Sequence, residues 1–563
     1  MIREAAACPG LAVSPCRELL SLQAAGVAFF ACRAGIPALH CMAMMRHSLL
    51  CTACVALVSV AALQAQPPAP NTAAEARSAR AYTAAAKGGP LALRAFLAQF
   101  PKGADLHVHL SGAVYAETFI KDAGEDGLCV DPRTLSLARP PCTGPLEPAK
   151  ELTGVLTQAQ QDLYDDLVNA FSMRSFVPSQ GFSGHDQFFS TFARFGSIAK
   201  SHTGEWVDEV ASRAAAQNQQ YLELMETPPF SHATKIAHET GWNPNFAQMR
   251  EALLAHGLRD EVAADRDDVR TAEAMRLKLE QCGTAQATPA CQVEVRYIYQ
   301  VLRGFAPEQV FAQTLLGFET IQAATDGHDD TYVGINFVMP EDGFVSMRDY
   351  TLQMKMLDYL HTVYPRVHIT LHAGELAPGL VPPEGLRFHI RQAVELGHAE
   401  RIGHGVDVMY EDDAQALLKE LARKHVMIEI NLSSNDGILG VQGVEHPFPL
   451  YRAAHVPVAL STDDEGVSRI DLTNEYVRAA LDYDLSYRDL KQMARTGLEH
   501  NFLPGESLWA APDVFGATAA ACKGQALGAE KPSGACKTFL DHSQKAAAQW
   551  ELERRFRAFE AQY

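Results

Sequence analysis

The chain has 563 residues, 47% of them apolar and 20% charged, and carries a formal net charge of −19 at pH 7. That is the balance of a globular protein with a sizeable core, and the length holds either several domains or one large barrel with insertions. So acidic a chain excludes nucleic acid and an anionic membrane surface as partners, since both call for a basic face, but a site with its own local field can still take a small ligand.

Met42, Met44 and Met45 offer a second start, from which residues 1–44 are expected to be an upstream extension. From Met45 the chain reads basic at Arg46 and His47, then apolar over 49–63, then small at Ala62 and Ala65. This is the layout of a signal peptide over 45–65. Its apolar run of 15 residues (63 − 49 + 1) is shorter than the about 20 that a membrane span requires. The mature protein is therefore expected to be secreted or periplasmic. Six of the 12 cysteines remain beyond the leader, in three close couples: Cys129 with Cys142, Cys282 with Cys291, Cys522 with Cys536. Local disulfides in an oxidising compartment are the simplest pairing. Residues 66–88, rich in Ala, Pro, Ser and Thr, read as a flexible lead-in.

Eight apolar stretches follow, at 104–110, 221–227, 293–302, 332–339, 368–375, 401–408, 426–434 and 456–464, many rich in β-branched residues. Helical patterns fill most of the gaps, as at 385–396 and 413–425. Strands alternating with helices predict an α/β fold, a (β/α)₈ TIM-like barrel over 89–515 with its site at the C-terminal ends of the strands. More than a hundred residues separate the first two strands, far more than one crossover helix needs. A large helical insertion at about 115–215 is expected there, as a lid or accessory subdomain. Residues 516–563 would form a C-terminal disulfide loop and a charged helix.

The first strand ends in His107-Val108-His109, and residues two apart on a strand point to the same side. An HxH pair alone is weak evidence for a metal. Its context is stronger: His372 closes a later strand with Gly374 and Glu375 behind it, His404 closes the next, and Asp463 and Asp464 close the last. Three imidazoles with one carboxylate suit one Zn²⁺ and leave a position for water.

The set HxH, LHAGE, RIGHG and STDD resembles the adenosine and AMP deaminase branch of the metal-dependent amidohydrolases, over roughly residues 90–515. The resemblance implies that His107, His109, His372 and Asp463 hold zinc. It further implies that Glu375 protonates purine N1, and that His404 and Asp464 orient and deprotonate the attacking water. Physical chemistry agrees, because attack at C6 disrupts the aromatic ring and N1 must gain a proton. The H-x-E with P-C-x-x-C signature of cytidine-type deaminases is missing its cysteine half. Two-metal amidohydrolases use a mid-barrel lysine, and 293–302 and 332–339 contain none, which favours a single metal.

Ser111, Gly374 and Met339 are the candidate substrate contacts. Ser111 stands where adenosine deaminases typically have an Asp that contacts the ribose, and a hydroxyl bonds a sugar more weakly than a carboxylate does. Met339, followed by Pro340, stands where the family has a glycine whose N–H meets a purine nitrogen. The leader and the long insertion also resemble the secreted, growth-factor-like branch of these deaminases. The expected activity is hydrolysis of a purine nucleoside, adenosine to inosine and ammonia. The alternatives are another 6-aminopurine derivative, another amide or amidine, and a secreted growth-factor-like binding protein that keeps the barrel as a scaffold.

Overall fold

The structure, a computed structural model, describes residues 73–563; the expected upstream extension (1–44) and signal peptide (45–65) lie outside the described residues. Eight strands form one sheet in chain order: β1 (Gly103–His109), β2 (Gln219–Glu226), β3 (Glu294–Leu302), β4 (Tyr332–Val338), β5 (His368–Ala373), β6 (Arg401–His404), β7 (Met427–Ile430) and β8 (Val458–Leu460). Neighbouring strands are parallel throughout. A parallel bridge between Val108 and Asp463 closes the barrel, with the Asp463 N–H donating to His107 O at 2.8 Å and the His109 N–H to Asp463 O at 3.1 Å. The predicted (β/α)₈ barrel is the observed one. Its later strands stop two to four residues short of the expected ends, so Glu375, Asp463 and Asp464 stand on the turns at the mouth.

Strands covered on both faces bury every side chain, which is why β2 and β4 are buried along their whole length. Where such a strand carries a charge, a partner must come with it. Arg401 lies fully buried inside the barrel, its Nη2 2.7 Å from Glu223 Oε2 and its Nε donating to Glu429 Oε1 at 2.6 Å. The helices outside the barrel follow the expected patterns. Ala414–Lys424 turns Ala414, Leu417, Leu418 and Leu421 inward, a single stripe at helical spacing.

The expected insertion divides in two. Residues 116–195 add helices and a three-stranded antiparallel sheet (Cys129–Asp131, Ser136–Ala138, Glu147–Pro148). Thr203–Ala216, within the same expected span, is instead the crossover helix that leads back into β2. The three expected disulfides are present, Cys129–Cys142, Cys282–Cys291 and Cys522–Cys536. The described part of the expected lead-in (66–88) departs from expectation, because Ala73–Lys87 is a helix; residues 66–72 lie outside the described residues. Alanine is the best helix former, and Glu75, Ser78 and Tyr82, at spacings of three and four, bury one face. Tyr82 Oη donates to Leu485 O at 2.6 Å. The C-terminal helix Gln544–Glu560 also docks on the barrel, where Glu553 takes both arms of Arg495 at 2.6 and 2.8 Å. No helix among the described residues is long and apolar enough to cross a membrane.

Candidate active site

His107 and His109 on β1, His372 on β5 and Asp463 after β8 bring one ligand atom each to within 4.8 Å of the others. A carboxylate or amide oxygen accepts from the Nδ1 of each imidazole: Glu429 Oε2 for His107 at 2.6 Å, Gln300 Oε1 for His109 at 2.8 Å, and Asn336 Oδ1 for His372 at 2.8 Å. With its proton on Nδ1, each ring turns the Nε2 lone pair to the common centre, the second-sphere arrangement of metal-binding histidines.

The donor set fits a zinc-like cation. Nitrogen and oxygen ligands about 2.0–2.2 Å from a tetrahedral zinc lie roughly 3.3–3.6 Å from one another. Here Asp463 Oδ1 is 3.4 Å from His107 Nε2 and 3.3 Å from His109 Nε2, and His109 Nε2 is 3.1 Å from His372 Nε2. His107 Nε2 is buried and, among the described residues, has no polar partner closer than Asp463 Oδ1 at 3.4 Å. Burial works against a charge on His107, yet its hydrogen bonds to Asp463 and Glu429 carry its pKa up to about 10. The two carboxylates thus favour positive charge at this spot, which a dication supplies as well as a proton. Burial and the neighbouring imidazoles push His372 well below the usual histidine range, the neutral state that a ligand requires.

Glu375, His404 and Asp464 surround this centre. Glu375 Oε1 and Asp463 Oδ2 each lie 3.8 Å from His404 Nε2, a buried nitrogen with no hydrogen bond among the described residues. Burial, reinforced by Asp463 and Glu341, raises the Glu375 carboxyl well above the carboxylate range. Burial and Asp463 also raise Asp464, a rise that a cation held by the adjoining Asp463 and imidazoles would oppose, returning Asp464 to the carboxylate that a base requires. Two glycines make room for these groups: a Cβ on Gly112 would fall 1.4 Å from Asp464 Oδ1, and one on Gly403 would fall 2.4 Å from His107 Cε1.

The turn that carries Glu375 is held from below by a carboxylate that the sequence did not point to. Glu341, fully buried after β4, accepts from the Gly374 N–H at 3.0 Å and the Glu375 N–H at 2.8 Å. The His389 ring shares its Oε1. Burial opposes the charge on Glu341, but His389 and Arg303 outweigh it and hold the carboxyl down at about 2. Ser434, equally unforeseen, donates to Asp463 Oδ2 at 2.6 Å and so fixes which oxygen faces the histidines.

Of the candidate substrate contacts, Ser111 is half-buried on the short helix Leu110–Ala113, beside His109. Met339 has φ 94°, in the left-handed region that glycine favours, and is 37% exposed. The loop keeps a glycine-like backbone at a position filled by methionine. Its Sδ caps the Gly304 N–H at 3.2 Å. Gly374 has φ 75° and is buried between Glu341 and Asp407.

The sequence profile of the family described as "Adenosine deaminase" matches residues 179–510. Adenosine deaminase from Clostridium perfringens (strain ATCC 13124) is 34% identical over 139 residues, which are 24% of this chain and 39% of that protein. The enzyme of Escherichia coli (strain SMS-3-5) is 40% identical over 140 residues, 25% of this chain and again 39% of the relative. The matching stretches thus span well under half the length of these relatives. Among solved structures, adenine deaminase from Arthrobacter aurescens superposes with a TM-score of 0.46 at 16% identity, covering 72% of this chain and 94% of that one. N6-methyl-AMP deaminase from Arabidopsis thaliana gives 0.47 at 20% identity, covering 73% and 94%. The family match begins beyond His107 and His109, which join the site through barrel closure. With more than half of its length matched, the chain belongs to the adenosine deaminase family.

Proposed function

We propose that this protein is a zinc-dependent deaminase of a 6-aminopurine nucleoside, converting adenosine to inosine and ammonia. The observation that carries the reading is the meeting of His107, His109, His372 and Asp463 with Glu375, His404 and Asp464 at one end of the barrel. Zinc, when bound, supplies the Lewis acidity that makes water nucleophilic near neutral pH. Glu375, kept protonated by burial, hands its proton to N1 as water adds to C6 and negative charge develops on the ring. His404 and Asp464 hold the attacking water and take one of its protons. The amino group then leaves as ammonia with that proton, and the new hydroxyl returns the other to Glu375 as the carbonyl forms. Asp463 and the three imidazoles stay fixed throughout, each clamped by Ser434, Glu429, Gln300 or Asn336.

The test is ammonia release by the zinc-loaded mature chain from adenosine, deoxyadenosine, AMP and adenine. Adenosine is expected to be turned over best, and Glu375→Gln to keep zinc while losing about 10²–10⁴-fold in kcat. A parent chain inactive on all four, or a Glu375→Gln variant within about twofold of it, would contradict the reading. We also propose that the chain is exported, on the strength of the leader at 45–65 and the three disulfides. N-terminal sequencing of protein from the exported fraction should begin close to residue 66. Recovery of the intact leader in soluble cytoplasmic protein would reject export.

A further inference from the structure

A buried chain of hydrogen bonds runs from the backbone to His404. The Phe448 N–H donates to His446 Nδ1 at 3.1 Å, His446 Nε2 lies 3.0 Å from Asn435 Oδ1, and Asn435 Nδ2 lies 2.9 Å from His404 Nδ1. A second amide, Asn431 Nδ2, faces the same His404 nitrogen at 3.3 Å. All four of these side chains are at most 2% exposed. The direction of every link follows from the first. A backbone N–H can only donate, so His446 Nδ1 is an acceptor. A neutral imidazole then carries its proton on Nε2. That proton goes to Asn435 Oδ1, which leaves the Asn435 NH₂ turned to His404 Nδ1. Reversing the Asn435 amide would require a bare Nε2 on His446 and hence a proton on its Nδ1, where the Phe448 N–H already points. Burial and the Arg478 guanidinium hold His446 neutral, down at about 3, so its ring does not carry two protons.

We infer that the Phe448–His446–Asn435 chain fixes the tautomer of His404 with its proton on Nε2, so that His404 donates to the attacking oxygen and Asp464 is the group that takes that water's proton. His404 Nε2 faces the reacting centre, 3.8 Å from both Glu375 Oε1 and Asp463 Oδ2, and has no acceptor of its own among the described residues. Asp464 Oδ1 is likewise buried without a partner. Asn435 and His446 are positioning residues, acting on the chemistry only through His404. The inference rests on the deaminase reading for the identity of the attacking oxygen, while the proton map stands apart from it. In atom balance, the proton that Asp464 takes from water is the one that leaves with ammonia, and His404 keeps its own proton throughout.

Neutron diffraction from deuterium-exchanged, zinc-loaded protein tests the map directly. Deuterium is expected on His404 Nε2 and His446 Nε2, with both Nδ1 atoms bare; deuterium on His404 Nδ1 would overturn the inference. Asn435→Asp tests the control by residue 435, because its carboxylate can only accept at that position. Deuterium should then appear on His404 Nδ1, and kcat should fall about 10²-fold with zinc content and KM retained, the scale expected when a donor to a developing oxyanion is lost. An Asn435→Asp enzyme with a bare His404 Nδ1, or with kcat within twofold of the parent, would overturn it. If that variant does not fold, the parent's deuterium positions decide alone. A parent that releases no ammonia from any 6-aminopurine would remove the functional reading and leave the proton map to be judged by diffraction.

Discussion

Asp464 reaches the reacting centre only because residue 112 has no side chain, since a Cβ there would stand 1.4 Å from its Oδ1 and 2.8 Å from its Cβ. Gly112→Ala should therefore push Asp464 aside and lower kcat by about 10²-fold or more, the scale of a lost acid–base group, with zinc content unchanged. Kinetics beside metal analysis of the purified variant checks this, and full activity would show that Asp464 works from elsewhere. Residues of this kind divide into those legible in the sequence and those that were not. His107 with His109, His372 with Glu375, and Asp463 with Asp464 were readable because the candidate ligands and reactive groups sit close together at strand ends, where a period of two or a short turn sets their direction. Glu429 was not, because it is 322 positions from the His107 that it holds, and only closure of the barrel brings them together. Glu341 escaped for a similar reason: its role lies in two backbone N–H groups 33 and 34 positions away, which leave no mark of their own in the sequence.

At the scale of elements, the eight strands were readable as apolar runs, while their ends were not. His404 and Asp463 have φ values of 75° and 62°, so the chain leaves extended geometry at two of the residues proposed to carry chemistry. The helix at Ala73–Lys87 was masked by a composition shared with disordered leaders, and only its docked face distinguishes it. Helices also carry buried charge with consequences of its own. Asp265, on Val262–Leu279, accepts from Tyr299 Oη of β3 at 2.9 Å, and burial lifts its pKa to about 7. An unfolded aspartate titrates near 3.9, so between about pH 4 and 7 the native state binds a proton that the unfolded chain releases. The stability this group contributes is complete below about pH 4 and is lost as pH rises to about 7. Asp265→Asn, which cannot ionise, should match the parent near pH 4 and exceed it by about 2–4 kcal/mol at pH 8. Denaturant melts at the two pH values measure this, and an equal difference at both would mean that Asp265 is not a buried acid.

For the whole molecule, the periphery and the chemistry are separable. The disulfides close loops with sequence separations of 13, 9 and 14, in the added sheet, before β3 and in the C-terminal segment. None joins the elements that carry the site. In the chain-entropy model a loop of this size contributes about 2–3 kcal/mol. Replacing Cys522 and Cys536 together by serine should lower stability by about that much and leave kcat/KM within about twofold. A large loss of activity in a folded variant would tie the C-terminal segment to catalysis.

The account stands or falls on the cluster of His107, His109, His372 and Asp463 as a single zinc site that drives deamination. The most direct measurement is a zinc titration of chelator-stripped protein, following ammonia release from adenosine. The account predicts activity that rises linearly and levels off at one zinc per chain, with no rise for Asp463→Ala. Full activity in the stripped protein, or a plateau reached only at two zinc ions per chain, would contradict it.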